Sequence, residues 1–248
     1  MFIASAAVSC AACGAASSTG PAATTAAVGL AASDCLKPIA VADKWMENFP
    51  VPGLWSPTAT FDRYWTSGQA KGTLLVNPDV YGPTTGFSTS NDGTPLPMTL
   101  GAATAVPVTI PRADGANAGG AAIESNLAGC SGISIAVGSD IAYSPGSTAG
   151  PFAHGIADLI AEDPAATWNP SLNAPSGSCA PACSPVSPRV VAIAFYDPDQ
   201  FQHSLIAGDW SACAQGLPCV HVVRILQYFV AAGVGTFGVD GFLMVKPR

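Results

Sequence analysis

Charge is what this sequence has least of. Only 10% of its residues are charged, against about 25% in typical soluble proteins. The nine Lys and Arg are scattered singly and the net charge is −7. With no basic patch there is little to grip a phosphate backbone or an anionic lipid surface, so nucleic acid is not expected as a partner. Also absent is an apolar run of about 20 residues, the length that spans a bilayer. No dinucleotide-binding GxGxxG fingerprint, P-loop, HExxH or G-x-S-x-G motif occurs. The glycine-rich piece AAGVGTFGVDG (231–241) lies between apolar runs and lacks a strand-loop-helix context. It reads as a tight turn between strands rather than a phosphate cradle. An export signal is missing too. MFIASAAVSC is apolar and ends in Cys, but the first basic residue is Lys37, so a positively charged leader region is lacking.

What the chain does have is apolar bulk and chain-reversing residues. Hydrophobic residues make up 49% of 248, with 26 Gly and 22 Pro. That is enough to bury a sizeable core, with many short elements between turns. The expected fold is a β-rich α+β single domain with one well-defined amphipathic helix and many turn-rich loops. Residues 1–34, rich in Ala, Gly, Ser and Thr, read as a flexible lead-in, and 35–248 as the domain.

Order should begin near DCLKPIAVADKWMENF, where Trp45, Met46 and Phe49 offer apolar surface. The span 50–120 is rich in turn residues around short apolar bursts, and VPVTI at 106–110 alternates like a strand closed by Pro111. GISIAVGSDIAY reads as one or two strands. The best helix is PFAHGIADLIAEDPAATW, with Phe152, Ile156, Leu159 and Ile160 on one face and Asp158, Glu162 and Asp163 opposite. Pro164 should end it. His154 in its first turn reads as a surface or packing residue, and His154, His203 and His221 form no close cluster.

The last third is strand-like: RVVAIAFY, CVHVVRILQYFVAA and VDGFLMVK. In VHVVRILQYFV, simple alternation puts Arg224 on one face with Val220, Val222, Leu226 and Tyr228. His221, Val223, Ile225 and Gln227 take the other. The run is expected to be a central strand pairing with Val190–Phe195, with Arg224 near an edge or paired with a carboxylate.

Eight cysteines stand at 10, 13, 35, 130, 179, 183, 213 and 219. An even count in a low-charge, turn-rich chain favours disulfides and an oxidising compartment. Cys10-x2-Cys13 and Cys179-x3-Cys183 also have zinc-like spacing, without the regular two-by-two pattern of a zinc ribbon. Local spacing makes Cys213–Cys219 the first candidate pair and Cys179–Cys183 the second. An exported composition without an export signal suggests the downstream part of a longer protein.

One motif asks for chemistry. In RVVAIAFYDPDQFQ, Asp197 and Asp199 flank Pro198 at a strand end. Paired carboxylates can bind calcium, given help from Asp209, Asn169 or Asp240. Asp-Pro is equally a turn start, since Pro fixes φ and Asp side chains bond nearby amides. The turn reading is preferred. No catalytic residue, cofactor or metal is expected, with Asp197 and Asp199 the weak metal candidates.

Eight segments in one order then carry a resemblance. They are CLKP with a tryptophan soon after, FDRYWTSG, GFSTSNDGT, IESNLAGC, DLIAEDPAATW, SPRVVAIAFYDPDQF, CVHVVRIL and GFLM. Over roughly residues 34–248 the chain resembles the C-terminal region of TadG-like proteins of the bacterial Flp/Tad pilus-assembly system. The resemblance implies an extracytoplasmic, membrane-associated, non-catalytic protein, minor pilin-like or serving assembly and anchoring. Its partners would be pilins or other pilus-assembly proteins, and its membrane contact a single N-terminal helix that this chain lacks. Two other readings are a secreted metal-dependent hydrolase built on Asp197 and Asp199, and a carbohydrate- or surface-binding module using Trp55, Tyr64 and Trp65.

Overall fold

The computed structural model describes residues 30, 32–43, 91–100, 105–114, 119–144, 149–196 and 218–245, with 201, 204, 205, 208, 210 and 213. Among them lie eleven strands and two helices. The strands are β1 (Ala32–Ser33), β2 (Leu36–Ala42), β3 (Met98–Thr99), β4 (Ala105–Thr109), β5 (Ile135–Ala136), β6 (Asp140–Tyr143), β7 (Thr167–Asn169), β8 (Ala174–Ser176), β9 (Val190–Tyr196), β10 (Cys219–Val234) and β11 (Gly238–Met244). The helices are α1 (Gly120–Ala128) and α2 (Ala149–Ala161). This is a β-rich α+β domain.

The long strand β10 organises it. Antiparallel β9 runs along one side of β10, while β6 and then β11 pair along the other. β6 continues to β4, β4 to β2, and β2 returns in parallel to β9. The pairings β10–β6–β4–β2–β9–β10 therefore close into a five-stranded ring, which leaves none of these five strands as a free edge. The ring's interior takes side chains from every member: Leu36, Ala40, Val106, Val108, Ile141, Ala194, Tyr196, Val220, Val222 and Ile225. Small alanines on β2 and β9 leave room for Tyr196 and Ile225, both 0% exposed.

The outer face of β2, β9, β10 and β11 is covered by the helices. Phe152, Ile156 and Leu159 of α2 join Ile123 and Leu127 of α1 on Ile39, Val41, Ile193, Phe195, Leu226 and Tyr228. The helical spacing of Phe152, Ile156 and Leu159 is what lays them on one face. α1, unmarked by any apolar stripe in the sequence, packs beside α2. Gly155 permits the approach, because a Cβ there would stand 2.6 Å from the Leu127 Cβ. Beyond the ring, β7 and β8 form a small hairpin. Trp168 of β7 stacks on Phe242 at 4.7 Å and leans on Phe229.

Two expectations need correction. Asp163 does not lie on the polar face of α2. The helix has ended by then, and the chain turns Asp163 inward to 1% exposure. Second, strict alternation in β10 fails. Val222 faces Tyr196 but Arg224 already faces Phe195, so the strand bulges there. The bulge moves Val220 and Val222 onto the face of Ile225, inside the ring, while Leu226 and Tyr228 face the helices. One extra residue reverses the face of everything beyond it. Of the two placements expected for Arg224, an edge or a carboxylate partner, the second is found: it pairs with the Asp43 carboxylate at 2.9 Å. The expected pairing with Val190–Phe195 is present, from Val190 opposite Phe229 to Phe195 opposite Arg224.

Candidate functional site

A cavity of about 500 Å³ opens where β2 leaves the ring. Leu36 pairs with Ala192, and pairing resumes only at Ala40 with Ala194. Three residues, Lys37 to Ile39, therefore oppose the single Ile193. Pro38 in this stretch offers no amide to hold a regular ladder. The irregular stretch carries Lys37, whose side chain reaches the C-terminal end of α1 and donates from Nζ to the Gly129 carbonyl. A cation suits a helix C-terminus, where carbonyls lack intrahelical donors.

Lys37 is 3% exposed. Burial pushes its amine down to about 8, with the Glu162 carboxylate acting in the opposite direction. Around it stand the Cys35–Cys130 disulfide, Gly129, Ser187, Val190 to Ala192, and Gln227. Lys37 and Glu162 are the only charged side chains in the described lining.

The outer wall, residues 183–188, is fastened from beneath. The Asp163 carboxylate accepts hydrogen bonds from the Ser178 hydroxyl (2.6 Å), the Cys179 amide (3.0 Å) and the Ser187 hydroxyl. Burial alone would raise this carboxyl. The three hydrogen bonds, with the Arg189 charge, hold it below its usual value instead. The Arg189 guanidinium donates to the carbonyls of Ala166 (2.8 Å), Asp163 (3.1 Å), Val230 (2.9 Å) and Ala231 (2.6 Å). It lies 5.0 Å from the Phe229 ring centroid. Burial lowers its pKa while Asp163 opposes that. The Cys179–Cys183 disulfide closes the loop above this network.

Cys213 and Cys219 are bonded at the entry to β10. Cys179–Cys183 is thus a disulfide rather than half a zinc site. Cys10 and Cys13 lie outside the described residues, as do Asp197, Asp199, Asp209, His203, Trp45, Met46, Phe49, Trp55, Tyr64 and Trp65. Of the helpers considered for a metal, Asn169 accepts from the Ser171 and Leu172 amides at 2.9 and 3.3 Å, which commits it to a local turn. Asp240 is exposed on β11. Among the described residues no group of three or more His, Cys, Asp or Glu could hold a metal ion. His154 is exposed, 3.9 Å from Glu124, and His221 sits 3.0 Å from Asp140 directly across from it on β6.

Sequence reasoning passed over Lys37, the Asp163–Arg189 network and the long-range Cys35–Cys130 bond. A signal for the first was available: LKPIAVA holds one lysine in an apolar run, and a cation there must either escape or find a carbonyl. No family model matches the chain, and neither a curated protein nor a solved structure matches it.

Proposed function

We propose that this chain is a non-catalytic extracytoplasmic component of a bacterial Flp/Tad-type pilus-assembly machinery, acting as a minor pilin-like or anchoring protein beside the pilins. The observation that carries the reading is where the resembling segments fall. CLKP opens β2, SPRVVAIAFY forms β9, CVHVVRIL forms the first half of β10, and GFLM lies in β11. IESNLAGC builds α1 and ends on Cys130, bonded to Cys35. The likeness thus falls on ring strands β2, β9 and β10 and also on three elements outside the ring: β11, α1 and, through DLIAEDPAATW, the end of α2.

The three disulfides are consistent with an extracytoplasmic location. Among the described residues no helix is long and apolar enough to cross a membrane. The test is genetic. In the source bacterium, deletion of the gene should abolish or sharply reduce surface pili counted by electron microscopy, and the exported wild-type protein should restore them. Normal piliation in the deletion strain would overturn the proposal.

A further inference from the structure

We propose that Lys37 is a covalent capture site: its amine, beside the Gly129 carbonyl at the cavity lined by β2 and the end of α1, takes a small aldehyde as an imine. Three observations meet there. Lys37 is buried yet lines an open cavity of about 500 Å³, room for a short-chain carbonyl compound. Its described hydrogen bond, to the Gly129 carbonyl, uses one N–H and leaves the nitrogen lone pair of the neutral form for attack. The neighbouring disulfides and Val190, Val191 and Ala192 give the bound carbon an apolar surround.

Burial supplies the reactive form. With the amine at about 8, roughly a tenth is neutral at pH 7, about 230 times the neutral fraction of an ordinary lysine near 10.4. In the step itself, the Nζ lone pair adds to the carbonyl carbon and the C=O π pair moves to oxygen. Both amine protons finally leave with that oxygen as water, and the C=N bond remains. Glu162, at the cavity, can relay one of these protons. The described lining offers no second acid or base to drive turnover, so the site holds its ligand rather than transforming it. This goes beyond the pilus reading and stands or falls separately from it.

The experiment is competitive labelling of the folded, disulfide-intact chain. Butanal with sodium cyanoborohydride at pH 7 reduces any imine to a stable butyl-lysine, located by peptide mass spectrometry. Lys37 should be labelled ahead of Lys44, Lys71 and Lys246, with a rate that climbs to a plateau above about pH 8. In the reduced, urea-unfolded chain the four lysines should react alike. A folded Lys37→Arg protein should lose the fast label and keep the rest. Lys37 reacting no faster than the other three in the folded protein, or only after unfolding, would overturn the assignment.

Discussion

Arg224 and Asp43 meet at 2.9 Å, through Nε and a carboxylate oxygen, with side chains 4% and 0% exposed. They are 181 residues apart in sequence. Asp43 follows the last residue of β2, and its amide donates to the Tyr196 carbonyl at the end of β9. Arg224 stands at the bulge of β10. The pair therefore pins the place where three ring strands converge. Removing one partner strands the other charge in the interior, which typically costs about 3–5 kcal/mol. Asp43→Ala should lower stability by that order in urea titration, and more than Arg224→Met combined with Asp43→Leu. A loss under 1 kcal/mol from Asp43→Ala would show that the pair is not what closes the ring.

Asp163 should make the domain acid-sensitive. Its folded pKa lies below the ordinary 3.8, so the folded state binds the proton less readily than the unfolded one. The resulting stabilisation is fully present above about pH 4 and is lost as pH falls through the folded value. Wild-type protein should lose melting temperature below pH 4 more steeply than Asp163→Asn does. At neutral pH the variant should be less stable by about 1–3 kcal/mol, the usual cost of a disturbed buried hydrogen-bond set. Parallel acid limbs in the two proteins would place the stabilisation elsewhere.

The disulfides should differ in worth. Cys35–Cys130 spans a separation of 95 residues, Cys213–Cys219 only 6 and Cys179–Cys183 only 4. Loop-closure entropy gives about 4–5 kcal/mol for the first and about 2 kcal/mol for each of the others. Replacing Cys35 and Cys130 together by Ser should therefore shift the urea midpoint about twice as far as replacing Cys213 and Cys219. Equal shifts would mean that the long staple closes a loop already ordered in the unfolded chain.

The parts of the fold legible in the sequence were those with strong local periodicity. The i, i+4, i+7 spacing of Phe152, Ile156 and Leu159 marked α2, and β-branched runs marked β9, β10 and β11. Short cysteine spacing marked the two local disulfides. What stayed hidden depends on the whole chain. The ring closes through the parallel return of β2 to β9, which no local pattern encodes. The bulge after Val222 leaves no mark in VHVVRIL, since Val, Ile and Leu suit either face. Asp163 looked like the end of a polar helix stripe until Ser178, Cys179 and Ser187 were brought beneath it. Lys37 became a candidate site only when a helix C-terminus and two disulfides enclosed it. Asp197 and Asp199, the most conspicuous motif in the sequence, lie outside the described residues, so their reading as a turn still rests on sequence chemistry.

The proposal that this chain is a non-catalytic component of pilus assembly is tested most directly by complementing the deletion strain with two variants and counting pili. Ile225, 0% exposed inside the ring, cannot become Asp without burying an unpaired charge at a cost of several kcal/mol. Ile225→Asp should lose its circular-dichroism melting transition and leave the cells bald. Asp197→Asn should melt like wild type and restore pili to near the wild-type count. A well-folded Ile225→Asp protein, or a bald strain carrying folded Asp197→Asn, would contradict the account.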